Sequence, residues 1–311
     1  DVVRVDGRRA VRLPGADPAV VRPDLVDVAE RLAAMDRAGV SRQILSGWIN
    51  LTAYGLDEGT GVRFCRMFNE ALAAVVADRP TRFLGLANVP LQAPEAAAAE
   101  LRYAVESLAM VGAEIATTVN GTELDARHLD PFWAAAESLR ALILVHPMDP
   151  LAGRGVARYF LGNAVGRPAE TTIAVAHLVL GGVLERFPEL RVCVVHGGGF
   201  LPYQRGRLDR AYTAKPDIAA VNLRRAPSQW LRRLYYDTVV HDPQVIAWLV
   251  DFAGAEHVLL GSDYPFEMGD PDPVATVRAA PGLDDAAREL ILGGNLERLI
   301  GRATTPAADG G

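Results

Sequence analysis

Three residues carry ligand-type or base-type chemistry at matching places in the chain: His146 in LILVHP, His196 in VCVVHGGG and Asp263 in VLLGSDYP. Each interrupts an apolar run, and Gly or Pro follows closely. Side chains at the C-terminal ends of parallel strands are how an α/β barrel builds a site. Two imidazoles and a carboxylate delivered to one rim point to a divalent metal with an acid/base partner. Each residue also has a plain structural reading. His146 can bond loop backbone, the glycines after His196 can serve a tight turn, and Asp263 can cap an Asx turn before Pro265. The shared position of all three favours a site, because a carboxylate there is costly to desolvate unless it is paired or coordinated.

The elements that must position these residues follow from periodicity. Val2–Leu13 alternates around Asp6-Gly7, a hairpin signal. A helical pattern ending at Gly39 follows. Seven apolar strand patterns come next, at 42–46, 82–87, 113–119, 141–146, 191–196, 235–240 and 257–262. Helical patterns separate them, near 62–78, 93–110, 131–139, 168–186, 201–212, 243–253 and 284–300. Continuously apolar strands alternating with helices predict a parallel sheet covered on its outer face. The expected fold is a (β/α)8 barrel, a single domain over 1–303 with residues 1–13 as a hairpin insertion and 304–311 as a disordered tail. Seven staves are one short of a closed ring.

Composition narrows the partners. The chain has 311 residues, 50% of them apolar, with a net charge of −6 and a pI near 5.6. That balance gives no footprint for nucleic acid or an anionic membrane. Lys215 is the only lysine, and arginine takes its place elsewhere. Cys65 and Cys193 lack metal or redox spacing and read as core thiols. No membrane-length apolar run occurs, so the reading is a soluble protein of a reducing, cytoplasmic compartment.

The remaining histidines are weaker candidates. His128 reads as a loop residue, His177 as packed on an apolar helix, and His257 as structural at the start of its strand. His241, directly after the sixth strand pattern, falls at the mouth end. The loop GWINLTAYG, with Met148 and Asn120, is expected to line the pocket. Trp48 and Tyr54 either stack on a planar substrate or pack against the rim.

Taken together, LVHPMDP, the run from Pro168 through HGGG to GRLDRA, and VLLGSDYPFEMG resemble the amidohydrolase-related (amidohydrolase family 2) metal-dependent decarboxylases. Within them the likeness is to the aminocarboxymuconate semialdehyde decarboxylases. The similarity runs in order from about Gly7 to Ile300, and HGGG eleven residues before the Arg of GRLD is its most specific part. The resemblance implies one divalent metal, usually Zn²⁺, although the donor types also suit Mn²⁺ or Fe²⁺. Its ligands would be a His-x-His pair on the first strand, His146 and Asp263. His196 would be the base for metal-bound water, and Asp263 would share the proton traffic. Arg12 and Arg207 would hold the substrate carboxylate, Arg207 from a neighbouring subunit of a homodimer or higher homo-oligomer.

The chain departs from that pattern in one respect: its six histidines are all isolated, and no His-x-His occurs. The chain begins at Asp1, so the expectation is that the parent protein carries the pair, with the eighth stave, upstream. The implied activity is non-oxidative decarboxylation of an unsaturated or aromatic carboxylic acid. The alternatives are a hydrolase or hydratase using the same metal, and a metal-free barrel that binds small carboxylates.

Overall fold

The computed structural model describes residues 2–12, 18–148 and 155–301. Strands β1 (Val2–Val5) and β2 (Arg8–Val11) form an antiparallel hairpin in which Val5 faces Arg8. Asp6 and Gly7 lie at φ 48° and 77°, the two left-handed residues that a two-residue turn requires. A third strand, β3 (Ala19–Val20), pairs with β2. Leu13, the end of the expected hairpin, and the expected tail at 304–311 lie outside the described residues.

The body is a seven-stranded parallel sheet of β4 (Gln43–Leu45), β5 (Phe83–Ala87), β6 (Gly112–Ala116), β9 (Leu142–His146), β10 (Arg191–Val194), β11 (Tyr235–Asp237) and β12 (Val258–Leu259). Each stave pairs with its chain neighbour, apart from a small hairpin, β7 (Thr118–Val119) with β8 (Thr122–Glu123), on the loop after β6. Helices follow the staves, among them Glu58–Asp78, Pro94–Leu108, Asp130–Ser138, Arg167–Leu180, Leu201–Ala214 and Pro243–Ala253. This is the architecture of a (β/α)8 barrel, with seven staves among the described residues.

The sheet curls. Leu142, Cys193 and Leu259 form one interior cluster with Ile44, Leu144 and Tyr235, so the first and last staves meet the same apolar plug. Arg42 also pairs with Glu297 at 3.0 Å, and the Arg31 guanidinium lies 4.8 Å from the Tyr264 ring. The larger core lies outside the staves, where Ile143, Val145 and Val192 pack with Phe132, Trp133 and Leu178 of the covering helices. Cys65 and Cys193 are buried and unpaired.

Strand register stacks the interior in layers. Glu114 of β6 lies opposite Leu144, and Ala116 opposite His146. Cys193 lies opposite both Leu144 and Tyr235, and Asp237 opposite Leu259. Arg191 lies opposite Leu142 at the foot of the sheet, the next layer holds Glu114, Leu144, Cys193 and Tyr235, and the uppermost carries His146 and Asp237 at the C-terminal mouth.

Candidate active site at the barrel mouth

His146 is aimed by its own strand. Leu142, Leu144 and His146 alternate onto the inner face of β9, while Ile143 and Val145 face outward. Its Nδ1 lies 3.0 Å from the Pro147 carbonyl, which Arg167 also grips, donating to Pro147 O and Met148 O at 2.8 Å each. With the ring proton on Nδ1, Nε2 presents its lone pair to the mouth, the arrangement in which a histidine ligates metal. Asp263 Oδ1 lies 3.9 Å from that Nε2, an ion contact too long for a hydrogen bond. The His196 ring stands edge-on to His146, with centroids 5.3 Å apart. The three residues singled out in the sequence thus converge, and the structure brings them to one rim.

The backbone around them is strained in a patterned way. Ala53, Asn120, His196, His241 and Asp263 all adopt positive φ, and all follow staves at the mouth end. Non-glycine residues hold such angles only where their surroundings impose them, and these sites gather at function.

Burial sets the electrostatics. It works against a charged His146, but the neighbouring Asp263 and Glu114 carboxylates outweigh it and raise the pKa. Burial, and then the charge of His146, lower His196 to about 3, so this imidazole is neutral at physiological pH. Burial raises Glu114, against the opposing charge of His146 and a hydrogen bond from Ser46. Burial pushes Asp237 up to about 6, against backbone N–H donors from Gly197, His196 and Val239.

His146 and Asp263 fit two positions in the shell of a divalent ion: an imidazole whose second nitrogen is already committed, and a facing carboxylate. Among the described residues, no group of three or more His, Cys, Asp or Glu is arranged to hold a metal. The donor set they supply is therefore this pair.

The other expected residues are more dispersed. Trp48 lines a small cavity with Thr52, Asn88 and Glu114, and its ring lies 6.5 Å from Phe266 of the last stave's loop. Asn120 donates to the Tyr54 carbonyl at 2.8 Å, which ties its amide nitrogen to loop architecture. Tyr54 is buried and its hydroxyl accepts the Ala116 N–H at 3.3 Å, so it packs beneath the rim. Arg12 is exposed at the end of β2, and Arg207 is exposed on the helix Leu201–Ala214. The reading of His177 as a packed residue is corrected: it is only half-buried and meets Asp125 Oδ1 at 3.2 Å. Glu114 and Asp237 were not anticipated. Their signal was a carboxylate inside an apolar strand, in GAEIA and YYDTVV.

A parallel stave ring whose mouth gathers two imidazoles and an aspartate defines a barrel of the metal-dependent hydrolase class. The amidohydrolase family model matches residues 9–302, and the chain belongs to that family. The 2-amino-3-carboxymuconate-6-semialdehyde decarboxylase of Dictyostelium discoideum is 33% identical over 271 residues, covering 87% of this chain and 76% of that protein. The crystal structure of 5-carboxyvanillate decarboxylase from Sphingomonas paucimobilis superposes with a TM-score of 0.81 at 29% identity, covering 89% of this chain and 84% of that one. A dihydroxybenzoic acid decarboxylase from Polaromonas sp. JS666, solved with bound manganese and 2-nitroresorcinol, matches with a TM-score of 0.79 at 26% identity. It covers 91% of this chain and 89% of that one.

Proposed function

We propose that the protein is a metal-dependent, non-oxidative decarboxylase of an unsaturated or aromatic carboxylic acid. One observation carries the reading: His146, His196 and Asp263 meet at the mouth of a barrel whose relatives are decarboxylases. His146 and Asp263 hold a divalent ion, Zn²⁺ by resemblance or Mn²⁺ as in the Polaromonas enzyme. When bound, the ion supplies Lewis acidity and positive charge for the substrate's oxygens.

The chain's own residues then divide the work. Neutral His196, depressed by burial, keeps a free lone pair to take and return a proton. Asp263 offers a second proton acceptor beside it. His196 takes a proton from water or a substrate hydroxyl and delivers it to the carbon bearing the carboxylate; the bond from that carbon to the carboxylate then breaks, CO₂ leaves, and the bonding pair returns to the π system. Trp48 and Asn120 flank the substrate, and Arg12 and Arg207 take its carboxylate in bidentate pairs.

Arg207 acts from a neighbouring subunit. It lies one helical turn beyond Tyr203, on a helix whose start carries exposed Phe200. Phe200 N donates to Thr172 Oγ1 at 2.8 Å, which joins this helix to the one bearing exposed Ile173. Exposed aromatic and aliphatic residues on adjoining helices suit a homodimer interface. Two unpaired thiols fit a reducing, cytoplasmic setting, and among the described residues no helix is long and apolar enough to cross a membrane.

The test is CO₂ release from a panel of hydroxybenzoic and muconic acids before and after chelation. Chelation should abolish release, and Zn²⁺ or Mn²⁺ should restore it. His196→Ala should retain metal by elemental analysis while losing at least ~10²-fold in kcat. Activity that survives rigorous chelation, or water addition and ring opening without CO₂, sinks the reading.

A further inference from the structure

The turn that carries His196 is unusual in four consecutive residues. His196, Gly197, Gly198 and Gly199 have φ of 56°, 59°, 79° and 65°. The three glycines tolerate this, but His196 does so against the steric preference of every L-residue with a Cβ. Each glycine is also pressed close. A Cβ on Gly197 would meet Val240 at 2.5 Å, one on Gly198 the Tyr236 ring at 2.6 Å, and one on Gly199 the Pro168 carbonyl at 2.3 Å. The turn is wedged between β11 and the helix Arg167–Leu180.

Within the turn the Gly198 and Gly199 amides donate to the Val195 and His196 carbonyls, which leaves the His196 and Gly197 amides at its start turned together, a backbone nest for an anion. The anion in this nest is Asp237. Its Oδ1 accepts from Gly197 N at 2.9 Å and from Val239 N at 3.2 Å, and the His196 amide also donates to its carboxylate. The carboxylate is buried, 7% exposed, and sits on the inner face of β11 in the layer of His146. Burying a charge is unfavourable unless strong donors meet it, and a carboxylate does so with about twice the strength of a neutral acceptor. A merely packed position in this strand would carry an apolar residue.

We propose that Asp237 is a positioning residue: by gripping the amides of the His196 turn from β11, it fixes that imidazole against His146 and Asp263. This inference rests on the decarboxylase reading for its kinetic consequence, though not for its structural one. Asp237 does not touch the reacting atoms. It acts through the backbone of the residue that does.

Asp237→Asn keeps the shape and an oxygen for the Gly197 and Val239 amides but removes the negative charge and the second acceptor oxygen that strengthen the grip. The expected kinetic result is a fall in kcat of roughly 10²-fold with KM little changed, as for a misplaced catalytic group. The double variant His196→Ala/Asp237→Asn should be no slower than His196→Ala alone, because both changes act through one imidazole. A crystal structure of Asp237→Asn should show the 196–199 turn relaxed and the His196 ring displaced from His146. A purely structural role predicts instead a lower melting temperature, unchanged kcat for the folded enzyme, and additive losses in the double variant.

Those results, or a variant crystal in which the turn and ring are unmoved, overturn the proposal. If His196→Ala keeps full turnover, the base assignment falls, and the crystal comparison still decides whether Asp237 holds the turn.

Discussion

His257 and His146 show how one side-chain type is treated at opposite ends of the same barrel. His146 sits among carboxylates at the mouth and its pKa is raised, whereas burial lowers His257 below its stave, where its Nδ1 is buried without a hydrogen-bond partner. An unfolded imidazole titrates near ~6.5. Below that pH the unfolded chain binds a proton that folded His257 refuses, so stability present above pH ~6.5 is lost as pH falls toward the lowered folded value. His257→Gln should flatten the decline in unfolding free energy between about pH 7.5 and 5.5, measured by urea titration. An unchanged slope would show that His257 does not titrate on unfolding. The legible residues in the sequence were those that end an apolar run, as His146, His196 and Asp263 do. Glu114 and Asp237 were passed over because they lie within a run, where only strand register shows that they face the interior.

At the scale of elements, hydrophobic runs located all seven staves, and the runs generally extended beyond the hydrogen-bonded strand. The pattern at 257–262 becomes a ladder over Val258–Leu259 only, because Gly261 and Asp263 already belong to the mouth loop. The helix expected over 168–186 breaks at Gly181–Gly182. Gly182 is left-handed at φ 71°, and a Cβ on Gly181 would lie 2.2 Å from Asp125. Neither break appears in apolar spacing, since both arise from contacts made by distant parts of the chain. Pairing between β6 and β9 rests on a similar contact at Gly112, where a Cβ would fall 1.8 Å from the Leu142 carbonyl oxygen. No rotamer relieves a clash between a Cβ and backbone, so the two staves must separate at their lower ends. Gly112→Ala should therefore destabilise the fold by at least ~3 kcal/mol, more than ordinary overpacking of flexible side chains. The midpoint of urea unfolding checks this, and a shift equivalent to less than ~1 kcal/mol would mean the staves are not held this closely.

The whole molecule leaves two features that a single barrel does not use. Arg207, the better of the two arginine candidates for substrate carboxylate, is exposed on an outer helix. Beside it stand Tyr203 at 76% exposure and Phe200 at 43%, with Tyr159 at 78% and Phe160 at 54% on the segment leading into the neighbouring helix. A two-fold dimer through this face would bury the aromatics of both subunits and carry each Arg207 toward the partner's mouth. In a dimer of this kind, each site draws His196 from one subunit and Arg207 from the other. Arg207→Ala and His196→Ala should each be nearly inactive alone. Denatured together and refolded, they should regain about a quarter of wild-type activity, since half the random dimers are mixed and each mixed dimer holds one intact site. Phe200→Glu/Tyr203→Glu should run as a monomer in sedimentation and lose the same activity without losing its fold. Wild-type protein that stays monomeric at micromolar concentration, or mixed variants that recover nothing, would return Arg207 to the ordinary surface.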